Sequence, residues 1–263
     1  VESPHDAAAD AEQFGLGAED FGLKGPRGWV FRHVGFSAPP GSLVAIEGPS
    51  GSGRTCLLLT LTGRMRATEG SARACGLELP RKAAAVRRIA ALGPVPGVSE
   101  LDPAFTVAEH LRERALLQGR YGASLRTLLR PRSERRAAAR TRIDTALEAA
   151  GLDLATLPKA ERTSVRDLER LEALRLSVAL ALIGTPKLLA LDDADLKLSP
   201  AERAEAWTLL RSIADSGTTV LAVCSEAPED AQVVRTTPAA EDSPTTPTTE
   251  EETADAFAET GRA

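Results

Sequence analysis

Residues 48–55 read Gly-Pro-Ser-Gly-Ser-Gly-Arg-Thr. One apolar run, Leu43-Val44-Ala45-Ile46, leads into this stretch, and a second, Cys56-Leu57-Leu58-Leu59, leads out of it. That order predicts a buried strand, a glycine turn and the opening of a helix. Backbone N–H groups of such a turn converge at a helix N-terminus, where the dipole favours phosphate oxygens. Glycine suits it because a Cβ would hold the main chain away from a ligand and because such turns need positive φ. Gly48, Pro49, Ser50, Gly51, Ser52, Gly53, Arg54, Thr55 and Cys56 are therefore the candidate nucleotide-phosphate cradle. One position departs from the usual pattern: Arg54 stands where a Lys is expected. A guanidinium is a longer, planar fork and not a point charge, so it can neutralise phosphate without matching the geometry of transfer.

A second signal lies downstream. Lys187-Leu-Leu-Ala-Leu-Asp192-Asp193 is an apolar run ending in two carboxylates, as expected at the C-terminal edge of a buried strand. Asp192 and the Thr55 hydroxyl are the candidate Mg²⁺ ligands, since this hard cation takes oxygen donors. Alone, the run would only mark a strand end; after a phosphate loop on the same frame it supports nucleotide binding.

Outward from these motifs the chain divides in three. Residues 1–16 read as a disordered leader and 235–263 as a disordered acidic tail rich in Thr, Pro and Glu. Between them, 17–234 read as one domain, with a core of 17–104 and 185–234 and a helical subdomain of 105–184. Phe21 to Phe36 is a small β region; Leu43–Ile46, Ile89–Val95, Lys187–Leu191 and Thr218–Val223 are strands. Gly53–Arg64, Ser133–Ala150, Asp167–Ile183 and Pro200–Ser216 are helices, with Gly151 and Gly217 as stops. Strand-loop-helix units flanking a helical insertion predict an α/β fold with a mostly parallel sheet covered on both faces.

Composition narrows the partners. Apolar residues make up 43% of the 263 residues and aromatics 3%, so Leu, Val and Ala must build the core. The net charge is −5, but residues 236–263 carry seven acids against Arg262, which leaves the rest near neutral. That balance gives no basis for nucleic-acid binding. Three scattered cysteines without metal spacing suit a reducing cytoplasm. The longest apolar stretch, Val178 to Ile183, is too short to span a bilayer, so any membrane role must come through another protein.

With these motifs in order, the chain resembles the ATP-binding subunits of ABC transporters from about Gly22 to Val234. Gly41, the Gly48–Thr55 loop, the run Thr106-Val107-Ala108-Glu109-His110-Leu111 and the segment Val178 to Asp193 carry the likeness. The resemblance implies a P-loop NTPase with a RecA-like core and a helical subdomain, ATP and Mg²⁺ as cofactors, dimerisation, and an integral membrane partner in trans at the inner face of the membrane. It implies a catalytic carboxylate at Asp193, where the family has Glu; one methylene less retracts that carboxylate by about 1 Å.

Other family positions are altered. No Gln falls near Pro96-Gly97, since the glutamines are Gln13, Gln118 and Gln232. The signature segment is Leu168-Glu169-Arg170-Leu171-Glu172, for which a continuous helix is expected, and Glu169 there would repel a γ-phosphate. Ser225 stands at the switch His, and Leu196-Lys197-Leu198-Ser199 replaces a segment ending in Asp. Retained ATP binding with weak hydrolysis is the resulting expectation. A nucleotide-sensing scaffold that has lost hydrolysis is the second reading; a different P-loop enzyme such as a kinase is the third, disfavoured by the helical insertion. A homodimer would set Glu169 and Glu172 at both sites, which favours a heterodimer whose partner has an intact signature.

The remaining candidates are weaker. His5, His33 and His110 lack ligand spacing, and Tyr121 has no assignable role. Phe21 and Trp29 lie near the expected adenine-stacking position but serve core packing equally well. Arginines 112, 114, 120, 126, 130, 132, 135, 136, 140 and 142 read as a solvated helical face partly paired with Glu113, Glu134 and Glu148.

Overall fold

The protein is described as a computed structural model over residues 15–121 and 131–237. Two sheets organise it. β1 (Leu16–Gly25) turns at Pro26-Arg27 into β2 (Gly28–Ala38) and also pairs with β4 (Glu69–Ala74), which pairs in turn with β5 (Leu77–Leu79). All three pairings are antiparallel, in the order β2-β1-β4-β5. The second sheet is parallel, in the order β6-β7-β8-β3-β9, from β3 (Leu43–Glu47), β6 (Ala90–Leu92), β7 (Leu188–Leu191), β8 (Thr219–Val223) and β9 (Gln232–Arg235).

β7 and β8 are buried at every residue, as a parallel strand covered on both faces requires. Their side chains alternate between two cores. Val44, Ile46, Leu188, Ala190, Leu221 and Val223 face the antiparallel sheet and α1 (Arg54–Leu61). Leu43, Ala45, Leu189, Leu191, Val220 and Ala222 face the helical side. Each fully buried Leu contributes roughly 1.5–3 kcal/mol.

The other helices are α2 (Ala83–Ile89), α3 (Val107–Tyr121), α4 (Arg132–Ala149), α5 (Arg170–Leu182) and α6 (Pro200–Asp215). Among the described residues the insertion from 105 to 184 holds helices and short 3₁₀ turns and no strand of its own. The sequence reading overlooked β4, β5, α2 and β9, whose polar, alanine-rich or short sequences carry little periodicity. It also set the limits of α1 and β6 too wide. Leu16 opens β1, while the readings for residues 1–14 and from 238 onward lie outside the described residues.

One expectation is overturned at Leu168–Glu172. A 3₁₀ turn over Val165–Asp167 gives way to extended backbone at Leu168 and Glu169, and α5 begins only at Arg170. Glu169 caps it, and Glu172 Oε2 accepts the Glu169 N–H at 2.9 Å. The two glutamates that made the segment look continuously helical are instead the reciprocal cap that starts the helix.

α6 begins with the same device. Ser199 Oγ accepts the N–H of Glu202 at 3.3 Å, and Pro200 stands at the first helical position. Ser199→Ala is expected to cost about 0.5–2 kcal/mol in urea unfolding.

Candidate functional site

The phosphate loop joins β3 to α1. Gly53 has φ +79°, in the left-handed region, and a Cβ there would lie 2.4 Å from the Val30 carbonyl oxygen of β2. At Gly51, with φ +81°, a Cβ would meet nothing within 4 Å, so this is the open side of the loop. A Cβ on Gly48 would sit 2.4 Å from Thr236 Oγ1 and 2.6 Å from Ser52 Oγ. Those two hydroxyls, both buried, are hydrogen-bonded at 2.7 Å, and so fix the underside of the loop to the end of β9. Gly53 is the N-cap of α1 and supplies no side-chain cap, which leaves N–H groups of the first turn for a ligand.

The two halves of the sequence signal meet here. Thr55 Oγ1 donates to Asp192 Oδ2 at 2.6 Å, across 137 residues of chain. Asp192 is 4% exposed at the end of β7. Burial pushes its carboxyl above the ordinary value and the Asp193 charge adds to this, while the Thr55 hydroxyl, the Asp193 N–H and Arg54 pull it back. Asp193 is half-buried with φ +50°, and its N–H donates to Asp192 Oδ1 at 3.1 Å. Arg54 folds back from the loop: its Nη1 donates to the Cys224 carbonyl, just past β8, at 2.8 Å. The Cys224 thiol beside it is fully buried, with its pKa pushed up to about 12 by desolvation first and then by Asp195 and Glu47.

The sequence reading missed two carboxylates that shape this centre. Asp195, 3% exposed, accepts the N–H of Ser225 at 3.1 Å (Oδ1) and 3.0 Å (Oδ2), and that of Glu226 at 3.2 Å. Glu47 Oε1 accepts the N–H of Ala227 at 2.6 Å. Together they hold the main chain of the loop after β8, the loop in which Ser225 stands. An acid between Ala194 and Leu196, just past two other acids, was the available signal for Asp195.

Other candidates separate from the centre. Phe21 is buried against Phe31 and serves the core. The Trp29 ring, one residue from Val30, carries Lys24 Nζ at 5.4 Å and the Arg32 guanidinium at 4.6 Å. His33 pairs with Asp20 at 2.5 Å, and His110 packs on Phe105. At Pro96-Gly97, the Gly97 N–H donates to Glu100 at 3.0 Å; among the described residues no Gln takes the expected place there, because Gln118 lies beside Gly184 and Gln232 bonds Ser37. The arginine pairings differ from expectation: Arg112 meets Glu161 at 3.8 Å and Arg140 meets Asp144 at 3.7 Å. Glu113, Glu134 and Glu148 form no ion pair among the described residues. The side chains of Arg120, Arg126 and Arg130 lie outside them.

Comparison with known proteins decides the family. The profile described as "ABC transporter" matches residues 31–195. The chain belongs to the ABC transporter family. Among relatives of this cassette, the Nod factor export ATP-binding protein I of Paraburkholderia xenovorans is 34% identical over 192 residues, covering 72% of this chain and 55% of the relative. That of Cupriavidus metallidurans is 33% identical, covering 73% and 56%. The chain thus spans about half the length of the curated relatives it matches.

Solved cassettes share the fold. The dimeric post-hydrolysis cassette MJ0796 bound to ADP and Pi gives a TM-score of 0.60 at 20% identity, covering 80% of this chain and 88% of that one. A bacterial Atm1-family ABC exporter with ATP bound gives 0.64 at 21% identity, covering 87% and 38%. No helix among the described residues of this cassette is long and apolar enough to cross a membrane.

Proposed function

We propose that this chain is the ATP-binding subunit of an ABC-transporter-like system: it binds Mg·ATP at the phosphate loop, works with a membrane partner in trans, and hydrolyses ATP weakly by itself. The bond between Thr55 Oγ1 and Asp192 Oδ2 is the observation that carries the reading, because it brings the loop and the strand-end carboxylate to one point. Thr55 and Asp192 present only oxygen donors, which fits Mg²⁺. Among the described residues no group of three His, Cys, Asp or Glu side chains could hold a metal, so triphosphate oxygens and water would complete its shell. When bound, the ion would neutralise phosphate charge.

The chain's own groups do the rest. Main-chain N–H groups between Gly48 and Thr55 grip the phosphates, and Asp193 stands where a base or water-orienting group is wanted. Weak turnover follows from the altered contacts. Arg54 is engaged with the Cys224 carbonyl, and Ser225, held by Asp195, offers no imidazole. Uniform binding survives where contacts made only in the transition state do not. The same two features favour the second reading, a regulatory scaffold that binds ATP without turning it over.

Titration of the purified chain with ATP, with and without Mg²⁺, followed by steady-state phosphate release, tests the proposal. Mg-dependent ATP binding with slow release is expected. No binding would refute both readings, and turnover equal to that of intact transporter cassettes would refute the weak-hydrolysis element. Binding without any phosphate release would favour the scaffold.

A further inference from the structure

The segment from Cys224 to Thr236 is fastened to the phosphate loop at both ends. At the far end Thr236 bonds Ser52 through their hydroxyls. At the near end Arg54, the first residue of α1, donates from Nη1 to the Cys224 carbonyl at 2.8 Å. The N–H groups from Cys224 to Ala227 are all taken. That of Cys224 goes to the Ile46 carbonyl at 3.1 Å, those of Ser225 and Glu226 to Asp195, and that of Ala227 to Glu47. Arg203 of α6 reaches the Glu226 side chain at 3.3 Å. These holders differ in kind. Ile46, Asp195 and Glu47 present oxygens, which accept from the main chain and offer nothing to a phosphate. Arg203 is already paired with a carboxylate. Arg54 stands in the phosphate loop itself. Its Nε and Nη2 make no hydrogen bond among the described residues, neither is sealed away from solvent, and no described carboxylate forms an ion pair with it. The guanidinium thus spends one arm on the loop after β8 and keeps the rest of its fork, with its full charge, for an anion.

We propose that Arg54 is a bridge: its free N–H groups grip the terminal phosphate of a nucleoside triphosphate while Nη1 stays on the Cys224 carbonyl, so the loop after β8 is firmer over a triphosphate than over a diphosphate. The inference rests on the nucleotide reading of the phosphate loop given above and adds to it how the bound state is felt elsewhere. The departure from Lys is what makes it possible. An ammonium is a point charge on a shorter stem and lacks the planar fork that holds two partners at a fixed angle. Ser225, next in the chain to Cys224, has no ring nitrogen to offer a phosphate. Arg54 reaches the same loop from the opposite side, through main chain in place of a side chain. The coupling is one of shared order. A guanidinium fixed by one partner has already lost its freedom when it meets the other, so each contact strengthens the second. Loss of the third phosphate frees the fork and returns the loop to the grip it has here, with Asp195 and Glu47 on its N–H groups and one arm of Arg54 on its carbonyl.

Amide exchange followed by NMR on the full chain tests this, with binding measured alongside by calorimetry. The probes are Mg²⁺ with a non-hydrolysable ATP analogue and Mg²⁺ with ADP, each at saturation. In the natural chain Ser225 and Glu226 should exchange about tenfold more slowly with the analogue than with ADP, the size expected of one charge-assisted hydrogen bond. R54K keeps a cation for phosphate but lacks the fork. It should bind the analogue and show the same exchange with both ligands. Leu189 in β7 should exchange alike with either ligand in each chain, which sets a local effect apart from a change in overall stability. A merely structural role for Arg54 would speed exchange in R54K and leave the difference between the ligands intact, and that result would overturn the bridge. Equal exchange in the natural chain with both ligands bound would also overturn it and leave the nucleotide reading standing. No binding of the analogue to the natural chain would remove both.

Discussion

Gly53→Ala will weaken ATP binding on the order of 100-fold, read by calorimetric titration. The added Cβ would lie 2.4 Å from the Val30 carbonyl oxygen and 3.0 Å from its carbonyl carbon, both main-chain atoms of β2 and not the far end of a flexible side chain. The residue also holds φ +79°, where an L side chain costs about 1–2 kcal/mol. Relief must come from the loop, whose far side at Gly51 is open. A displaced loop takes with it the N–H groups that grip phosphate, and a shift of about 1 Å in such a constellation is enough for a loss of ~10²-fold. Gly51→Ala is the control for stability: it carries the same φ strain with no protein atom within 4 Å of the Cβ, so its cost in urea unfolding should stay at about 1–2 kcal/mol. Unchanged affinity in Gly53→Ala, with the melting temperature also unchanged, would show that the glycine turn is not the binding element.

Asp195→Ala is expected to lower stability by about 2–4 kcal/mol in urea unfolding, because a buried charged acceptor of three close N–H contacts is removed. The donors left behind, Ser225 N–H and Glu226 N–H, have no described alternative. Their amide exchange should accelerate ahead of that of β8, since Glu47 holds the main chain only further on, at Ala227, and Arg203 reaches the Glu226 side chain and not its main chain. Asp195→Asn keeps an acceptor oxygen and should recover part of the loss. A stability equal to that of the unaltered chain would mean that the loop after β8 does not need this carboxylate.

How far the sequence carried depended on the length and regularity of each signal. β3, β7 and β8 were plain because a strand covered on both faces is a continuous apolar run, and α4 and α6 because Gly151 stops the one and Pro200 opens the other. Thr55 and Asp192 were legible as a pair because one opens a helix and the other follows the end of a strand. β4, with Glu69 and Arg73 outward and only Ala72 and Ala74 inward, had no such contrast. Asp195 escaped because its role is to accept main-chain N–H groups of a loop 30 residues away, and nothing in local pattern encodes that. Glu169 and Glu172 misled in the opposite sense: good helix formers, they read as interior when they form the cap.

The hydroxyl contact between Thr236 and Ser52 makes the last strand a buttress of the nucleotide cradle. Anyone shortening this polypeptide at Arg235 to obtain better crystals would knock out that prop and soften the very pocket under investigation. A fusion partner should therefore be appended well beyond Thr236, or at the opposite terminus.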